Sequence, residues 1–86
     1  MAYRVELKPR ADKELRALPQ SVQLRVVRAL RDLSENPRPA GVKKLAGETD
    51  LYRIRVGDYR VVYQIQDERL LVLVVRVAHR RDVYRP

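Results

Sequence analysis

LYRIRVGDYRVVYQI, residues 51–65, predicts a β-hairpin. Apolar or β-branched residues alternate with polar ones on both sides of Gly57-Asp58, which is the period of half-buried strands. Gly57 can adopt the positive φ that the first central position of a two-residue turn requires. We therefore predict strands over 51–56 and 59–66, joined by a tight turn.

The two-residue turn also determines which side chains share a face, because successive residues of a strand point to opposite sides. One face is apolar and should pack in the core; it carries Tyr52, Ile54, Val56, Tyr59, Val61, Tyr63 and Ile65. The other face, which we name the arginine face, carries Leu51, Arg53, Arg55, Arg60, Val62 and Gln64. The predicted cross-strand pairs are Val56 with Tyr59, Arg55 with Arg60, Ile54 with Val61, and Arg53 with Val62.

Three guanidinium groups crowd onto the arginine face. Arg55 and Arg60 are directly opposed, and Arg53 is the next residue on the same face of its strand. Directly opposed like charges destabilise a sheet, whereas a favourable pair contributes roughly 0.2–1 kcal/mol. Convergent guanidinium groups therefore favour an anion site, and their planar fork matches phosphate well. The alternative is a solvated face on which the arginines splay apart.

A third strand over about 70–78 should return beside the second. A simple register through the turn would point Arg76 into the core, whereas a three-residue loop or bulge near Asp67-Glu68 would reverse the phase. We predict the reversed phase, because it avoids a buried unpaired charge. Under this prediction the core receives Leu71, Leu73, Val75 and Val77, and the arginine face gains Arg76, Ala78 and Arg80.

The first half of the chain predicts one strand and two helices. Alternation over residues 3–8 indicates a short strand. We predict helices over 9–18 and 19–36, each opened by a proline, the second ending where Pro37 disfavours the α region for the residue before it. One apolar stripe on the second helix comprises Val22, Val26, Ala29, Leu30 and Leu33. Residues 37–50 are predicted to be a loop.

This order of elements predicts a single small α+β domain over residues 1–86. The N-terminal strand and two helices should pack on one face of a mostly antiparallel sheet, in the order β-α-α-β-β-β. A core of this size is marginal, so most apolar positions should already be committed to it.

Charge is the strongest global feature of the sequence. Nineteen Lys and Arg against eleven Asp and Glu give a net charge of +8 on 86 residues, which favours a polyanionic partner such as nucleic acid, or an acidic protein. All eight basic residues after residue 50 are arginine. Arginine pairs bidentately with phosphate and stacks on bases, although an arginine-rich genome would produce the same bias.

Several classes of protein are excluded or disfavoured by composition. The chain has no Cys and one His, which excludes a Cys-based metal site or a His cluster and gives no sign of an oxidising compartment. The N-terminal segment lacks an apolar signal core, and no apolar run approaches membrane-spanning length. We therefore expect a cytoplasmic protein with no membrane partner.

The hairpin segment, followed by VLVVRVAHRRDVYRP, closely resembles the RelE branch of the RelE/ParE superfamily of bacterial toxins. The resemblance extends to the opening YRVELKPRADKELRALP and to the loop KKLAGETDLYRIR, and so covers essentially the whole chain. It implies the small α+β fold of these toxins in a bacterial or archaeal cytoplasm. It also implies cleavage of mRNA in the ribosomal A site without metal or cofactor, and a cognate antitoxin that neutralises the toxin through an acidic or amphipathic segment.

The resemblance also implies a set of active residues. These are Arg53 and Arg55 in YRIRV, Arg60 in DYRVVY, Arg80 in HRR and Tyr84 in DVY. The best-known members have Lys at the positions of Arg53 and Arg55. Because Arg is effectively never deprotonated, neither residue can act as a general base.

The reaction implied is attack of an RNA 2′-OH on the adjacent phosphate, which leaves a 2′,3′-cyclic phosphate and a 5′-OH. We assign Arg55, Arg60 and Arg80 to the phosphate, with Arg53 helping to hold it. His79 is a tentative acid or base because its pKa is ordinarily near neutrality; alternatively it caps or stacks at a strand end. Tyr84 could stack on a base, transfer a proton or pack on the sheet. Further phosphate contacts are predicted at Arg76, Arg81, Lys43 and Lys44.

Other functions remain open at this level. A ParE-like toxin would poison DNA gyrase without a ribonuclease site, a non-catalytic module would bind RNA or ribosomes through charge alone, and a degenerate toxin would have lost activity through the Lys-to-Arg changes. On the second helix Arg25, Arg28 and Arg31 form a basic face, for which solvation is the simplest interpretation and contact with antitoxin or ribosomal RNA the alternative. Leu24 lies as an apolar outlier on that side.

Overall fold

Two helices pack on one face of a five-stranded sheet in the computed structural model, which describes residues 2–45 and 50–82. The elements are β1 (Arg4–Leu7), α1 (Pro9–Arg16), α2 (Gln20–Glu35), β2 (Lys43–Lys44), β3 (Leu51–Val56), β4 (Tyr59–Gln66) and β5 (Leu71–His79). The strand order is β1-β5-β4-β3-β2, with β1 parallel to β5 and the other pairs antiparallel. The predicted α+β architecture is confirmed.

The hairpin forms in the predicted register. The observed pairs include Val56 with Tyr59, Arg55 with Arg60, Ile54 with Val61, and Arg53 with Val62. Gly57 has φ +60°, the left-handed region that glycine adopts without a steric cost. The two faces of the hairpin are therefore as the sequence indicated.

The predicted change of phase in β5 occurs, but within the strand and not at the turn. The pairs are Ile65 with Val72, Tyr63 with Val74, Val62 with Arg76, and Arg60 with Ala78. Val75 is skipped in this ladder and is the extra residue of a β-bulge. Without it, the alternation from Val74 would place Arg76 in the core, so the bulge keeps that charge on the arginine face.

The prediction for the first half of β5 was therefore wrong. Val72 and Val74 belong to the main core, where Leu71, Leu73 and Val75 had been expected. The reason is that the 3-10 turn at Asp67–Arg69 preserves the simple register. For the second half of the strand the prediction was correct, with Val77 in the core and Arg76 and Ala78 opposite residues of the arginine face.

The segment predicted as a loop contains the short strand β2. Lys43 pairs with Arg53 and Lys44 with Tyr52, and the N–H of Leu45 donates to the C=O of Leu51 at 2.9 Å. A two-residue strand has no detectable period in the sequence. Its formation places the two lysines on opposite faces of the sheet.

A proline and two polar side chains stabilise the ends of the helices. Pro9 occupies the first turn of α1, and the Gln23 amide donates to the C=O groups of Arg16 and Leu18 at 3.1 and 2.7 Å. This side chain satisfies carbonyls that the end of α1 leaves without helical partners. At the other end of α2, Ser34 Oγ donates to the C=O of Tyr3 at 2.6 Å and ties the helix to the start of β1.

The main core lies between the helices and the sheet. It is formed by Ala11, Val26, Leu30, Leu33, Ile54, Val56, Val61, Tyr63, Ile65, Val72, Val74 and Val77. This confirms the apolar stripe of α2, from which Leu24 is excluded with 61% of its surface exposed. A second, smaller cluster lies on the opposite side of the sheet and comprises Val62, Ala78, Leu45, Leu51 and Val75. No helix in the described residues is long and apolar enough to cross a membrane.

Candidate nucleic-acid interface

The strand register brings basic residues from four strands onto the arginine face. Across the sheet, one row of neighbours is Lys43, Arg53, Val62 and Arg76. The next row towards the hairpin turn is Arg55, Arg60 and Ala78. Directly opposed residues have Cβ atoms only about 4.5–5.5 Å apart, so the cationic groups start from closely spaced positions.

Arg55 and Arg60 are paired but occupy different environments. Arg60 is only 8% exposed, and its Nη1 donates to the C=O of Tyr59 at 3.2 Å. Arg55 is exposed, and within residues 2–45 and 50–82 it has no ion-pair partner. The two like charges therefore differ in hydration, because most of Arg60 is covered and Arg55 is open to solvent. A fixed, partly desolvated cation beside an exposed one is a suitable anion site, because electrostatic attraction strengthens as water is excluded.

Val62 and Ala78 form an apolar floor beneath the arginines. They are 5% and 7% exposed, although both helices pack on the opposite side of the sheet. Leu51 and Val75 pack against them. Apolar side chains thus lie among the cationic groups, and a bound phosphate would be less screened there than on an open polar surface.

Arg76 is held by an acidic residue from the other layer. Its Nε donates to Glu14 Oε2 at 3.0 Å, and its Nη2 lies 3.0 Å from the same oxygen. Glu14 Oε1 also accepts the N–H of Val77 at 2.9 Å, which satisfies a backbone donor on β5. This arrangement gives Arg76 a structural partner on α1, and its predicted role in binding phosphate stays a prediction.

The segment after β5 is tied to the hairpin turn. The N–H of Arg80 donates to the C=O of Asp58 at 2.8 Å, and Arg76 Nη2 donates to the C=O of Asp82 at 3.4 Å. These contacts bring the exposed Arg80 to the hairpin end of the sheet, beside Arg55 and Arg60. Arg81 is exposed in the same turn.

His79 lies on the other side of the sheet from the arginines. It pairs with Tyr59, whose side chain points away from the arginine face, and the two rings meet edge to face at 5.5 Å. His79 Nδ1 accepts the N–H of Arg81 at 3.2 Å. His79 therefore helps to hold the turn that carries Arg80 and Arg81. Its role as an acid or base stays a prediction, which its position on the helix side of the sheet disfavours.

The remaining predicted residues divide by position. Lys43 joins the arginine face next to Arg53, whereas Lys44 opposite Tyr52 points to the helix side. Tyr84 lies outside the described residues, so its predicted role remains untested.

Sequence reasoning missed a polar clamp at the end of the sheet remote from the hairpin turn. Arg38 donates to both oxygens of Asp67, at 3.1 and 2.9 Å, and Tyr3 Oη donates to Asp67 Oδ1 at 2.6 Å. The Arg38 guanidinium also lies 5.3 Å from the ring centre of Tyr52, a cation–π contact. No local pattern marks these residues, because they are separated by up to 64 positions in the chain.

Hydrogen bonding within the clamp shifts the pKa of Tyr3, Arg38 and Asp67, and that of Arg38 is raised. The Arg38 hydrogen bonds, with a further one from Tyr3, lower the pKa of Asp67 to about 2. The Asp67 carboxylate in turn raises the pKa of the Tyr3 hydroxyl. Nearby, burial raises the pKa of Tyr63, whose Oη donates to the C=O of Pro37 at 2.7 Å. These contacts attach the segment after α2 to the sheet.

Comparison with known proteins places the chain in a family. The family model described as the ParE toxin of the type II toxin–antitoxin system parDE matches residues 5–84. The toxin RelG of Mycobacterium tuberculosis is 38% identical over 89 residues, covering 99% of both chains. The mRNA interferase toxin RelE of Escherichia coli K12 is 38% identical over 88 residues, covering 98% of this chain and 92% of that one.

A solved structure extends the likeness to the fold. The archaeal RelE–RelB complex from Pyrococcus horikoshii OT3 contains a chain that matches with a TM-score of 0.83 at 32% identity, covering 96% of this chain and 100% of that one. The chain therefore belongs to the RelE/ParE superfamily of type II toxins. Its similarity to proteins named RelG and RelE identifies it as a toxin of the RelE type.

Proposed function

We propose that this toxin is a ribosome-dependent mRNA endoribonuclease that cleaves in the A site and so inhibits translation. The observation that carries the proposal is the placement of Arg55, Arg60 and Arg80 at neighbouring backbone positions at the hairpin end of the sheet, over an apolar floor. The name mRNA interferase of the Escherichia coli relative supports the same activity.

The arginines act on the phosphate that is cut. In the reaction the 2′-hydroxyl gives up its proton and its oxygen forms a bond to phosphorus. The bond from phosphorus to the 5′-oxygen breaks, and the 5′-oxygen gains a proton and leaves as a hydroxyl group. Negative charge accumulates on the phosphate oxygens in the transition state, where preorganised cations stabilise it most. We assign this role to Arg55, Arg60 and Arg80, and we assign Arg53 and Lys43 to holding the RNA backbone.

Arg76 takes a supporting part in this proposal. Its ion pair with Glu14 and its contact with the C=O of Asp82 brace the turn that carries Arg80. Proton transfer through Tyr84, and the absence of a metal from the reaction, remain predictions from the family resemblance.

We also propose that a cognate antitoxin neutralises this toxin in the cytoplasm. The matched chain from Pyrococcus horikoshii is described as part of a RelE–RelB complex, and a net charge of +8 suits a partner with an acidic or amphipathic segment. Such a segment could inhibit by covering the arginine face or by displacing the C-terminal residues.

Expression in bacteria from a tightly controlled promoter tests the activity. We expect new mRNA 5′ ends within translated codons, in frame, detected by primer extension. Arg55→Ala is the matched control, because Arg55 is exposed and its loss should not impair folding, whereas Arg60 is buried. Cleavage that persisted in the Arg55→Ala variant would contradict the assignment of this residue to the phosphate.

The description of the family model favours a second candidate, a ParE-like inhibitor of DNA gyrase. The same expression experiment separates the two functions. Growth arrest with intact mRNA and with DNA breaks dependent on gyrase would support the second candidate and overturn the first.

A further inference from the structure

Arg25 of α2 lies against the tip of the β3–β4 hairpin. A Cβ built at Gly57 would lie 3.1, 3.3 and 3.4 Å from Nη1, Nη2 and Cζ of Arg25. These three guanidinium atoms therefore lie in the space that a side chain at position 57 would need. Gly57 serves the turn through its positive φ and also permits this close approach.

This contact places a fourth guanidinium group beside the end of the arginine face. Arg55 and Arg60 flank the turn on one side, Arg80 is tied to it through the C=O of Asp58, and Arg25 covers it from the helix side. In the described part of the chain neither Arg25 nor Arg80 has an ion-pair partner. Positive charge therefore surrounds the hairpin tip, with Asp58 as the acidic residue of the turn.

Arg31 of the same helix is placed differently. Arg31 is exposed on the same helix, but helical geometry sets it about 9 Å further along the axis and about 120° around it from Arg25. It provides an internal control, because it has the same charge and lies on the same element, away from the hairpin tip.

We propose that Arg25 binds an RNA phosphate other than the one that is cut, as the RNA backbone passes around the hairpin tip from the arginine face towards α2. The inference rests on the proposed function and adds a second point of contact to it. A phosphate contact of this kind positions RNA without reading its sequence. Arg25 should therefore affect binding of the ribosome–mRNA complex and leave the rate of the chemical step unchanged.

The test measures binding of the full chain to 70S ribosomes as a function of KCl concentration. The A-site codon carries 2′-deoxynucleotides, which remove the attacking hydroxyl and prevent turnover. For Arg25→Gln we expect roughly three- to tenfold weaker binding near physiological salt. The slope of log K against log salt should be smaller in magnitude by roughly 0.7–0.9, the value for one lost phosphate contact. Arg25→Lys should retain the slope, and Arg31→Gln should match the wild type.

A second measurement distinguishes positioning from chemistry. With cleavable mRNA, Arg25→Gln should raise KM and leave kcat unchanged, while thermal unfolding of this exposed-site variant matches that of the wild type. If Arg25→Gln and Arg31→Gln bind alike, the inference is wrong although the proposed function stands. If the wild-type chain fails to bind ribosomes, the proposed function fails and the inference with it.

Discussion

Arg55 and Arg60 show how identical residues, paired across one hairpin, differ through their surroundings. Most of the surface of Arg60 is covered, whereas Arg55 remains exposed. Their opposition costs stability, because like charges in directly opposed positions repel. Functional sites commonly carry such local costs in exchange for activity.

Replacing Arg55 with Thr should separate stability from activity. The substitution removes the repulsion and introduces a residue that favours strands, so the free energy of unfolding should rise by roughly 0.2–1 kcal/mol. Cleavage of mRNA on the ribosome should be lost, because the exposed cation of the site is gone. Urea denaturation and a cleavage assay on the same preparation measure both effects. A variant that is less stable than the wild type would contradict the claim that repulsion between Arg55 and Arg60 destabilises the hairpin.

At the scale of the elements, one carboxylate joins the helical layer to the arginine face of the sheet. Glu14 of α1 accepts both the Arg76 side chain and the N–H of Val77. Side-chain exposures of 12% for Arg76 and 22% for Glu14 mark this pair as partly buried. The bulge at Val75 makes the contact possible, since it turns Arg76 out of the core.

The Glu14→Gln substitution should weaken both folding and activity. Loss of the partly buried carboxylate partner of Arg76 should lower the free energy of unfolding by about 1.5–3 kcal/mol. Arg76 would then also hold the turn that carries Arg80 less firmly. Asp12→Asn is the matched control, because its ion pair with Arg16 is also on α1 but is exposed, where such pairs contribute about 0.3–0.5 kcal/mol. Chemical denaturation of both variants compares the two costs. Equal effects of the two substitutions would show that the Glu14 contact adds nothing beyond a surface pair.

At the scale of the whole molecule, the two ends of the sheet differ in charge and in the contacts that hold the chain together. The hairpin end concentrates positive charge, and the opposite end holds the chain together through Arg38, Asp67 and Tyr3. This clamp joins the N-terminal segment, the segment after α2 and the β4–β5 turn, so its loss should affect global unfolding.

The clamp predicts a dependence of stability on pH. Because the pKa of Asp67 is about 2 in the folded chain and ordinarily 3.8, its contribution is fully present above about pH 4 and is lost as the pH falls towards 2. Asp67→Asn should be less stable than the wild type at pH 6, and the difference should shrink between pH 4 and 2. Urea unfolding at a series of pH values checks this. A difference that stayed constant with pH would rule out the carboxylate as its source.

The sequence by itself determined the hairpin, its register and the identity of the arginine face. Strand alternation and a two-residue glycine turn are local properties, and they specify which residues are neighbours without any other part of the chain. The stripe of α2 is likewise local, since helical spacing places Val26, Leu30 and Leu33 together. The prediction that Arg76 stays out of the core was also correct, because an unpaired buried charge is costly in any fold.

Only the tertiary structure decided where in β5 the phase changes to keep Arg76 out of the core, and which residues the arginines contact. The bulge at Val75 depends on how β4 and β5 twist past each other, and the turn between them carries no signal for it. Glu14, Arg38 and Gly57 acquired their roles through residues between 29 and 63 positions away in the sequence or on another element. Such contacts follow from packing the helices on the sheet, which no local pattern in the chain encodes.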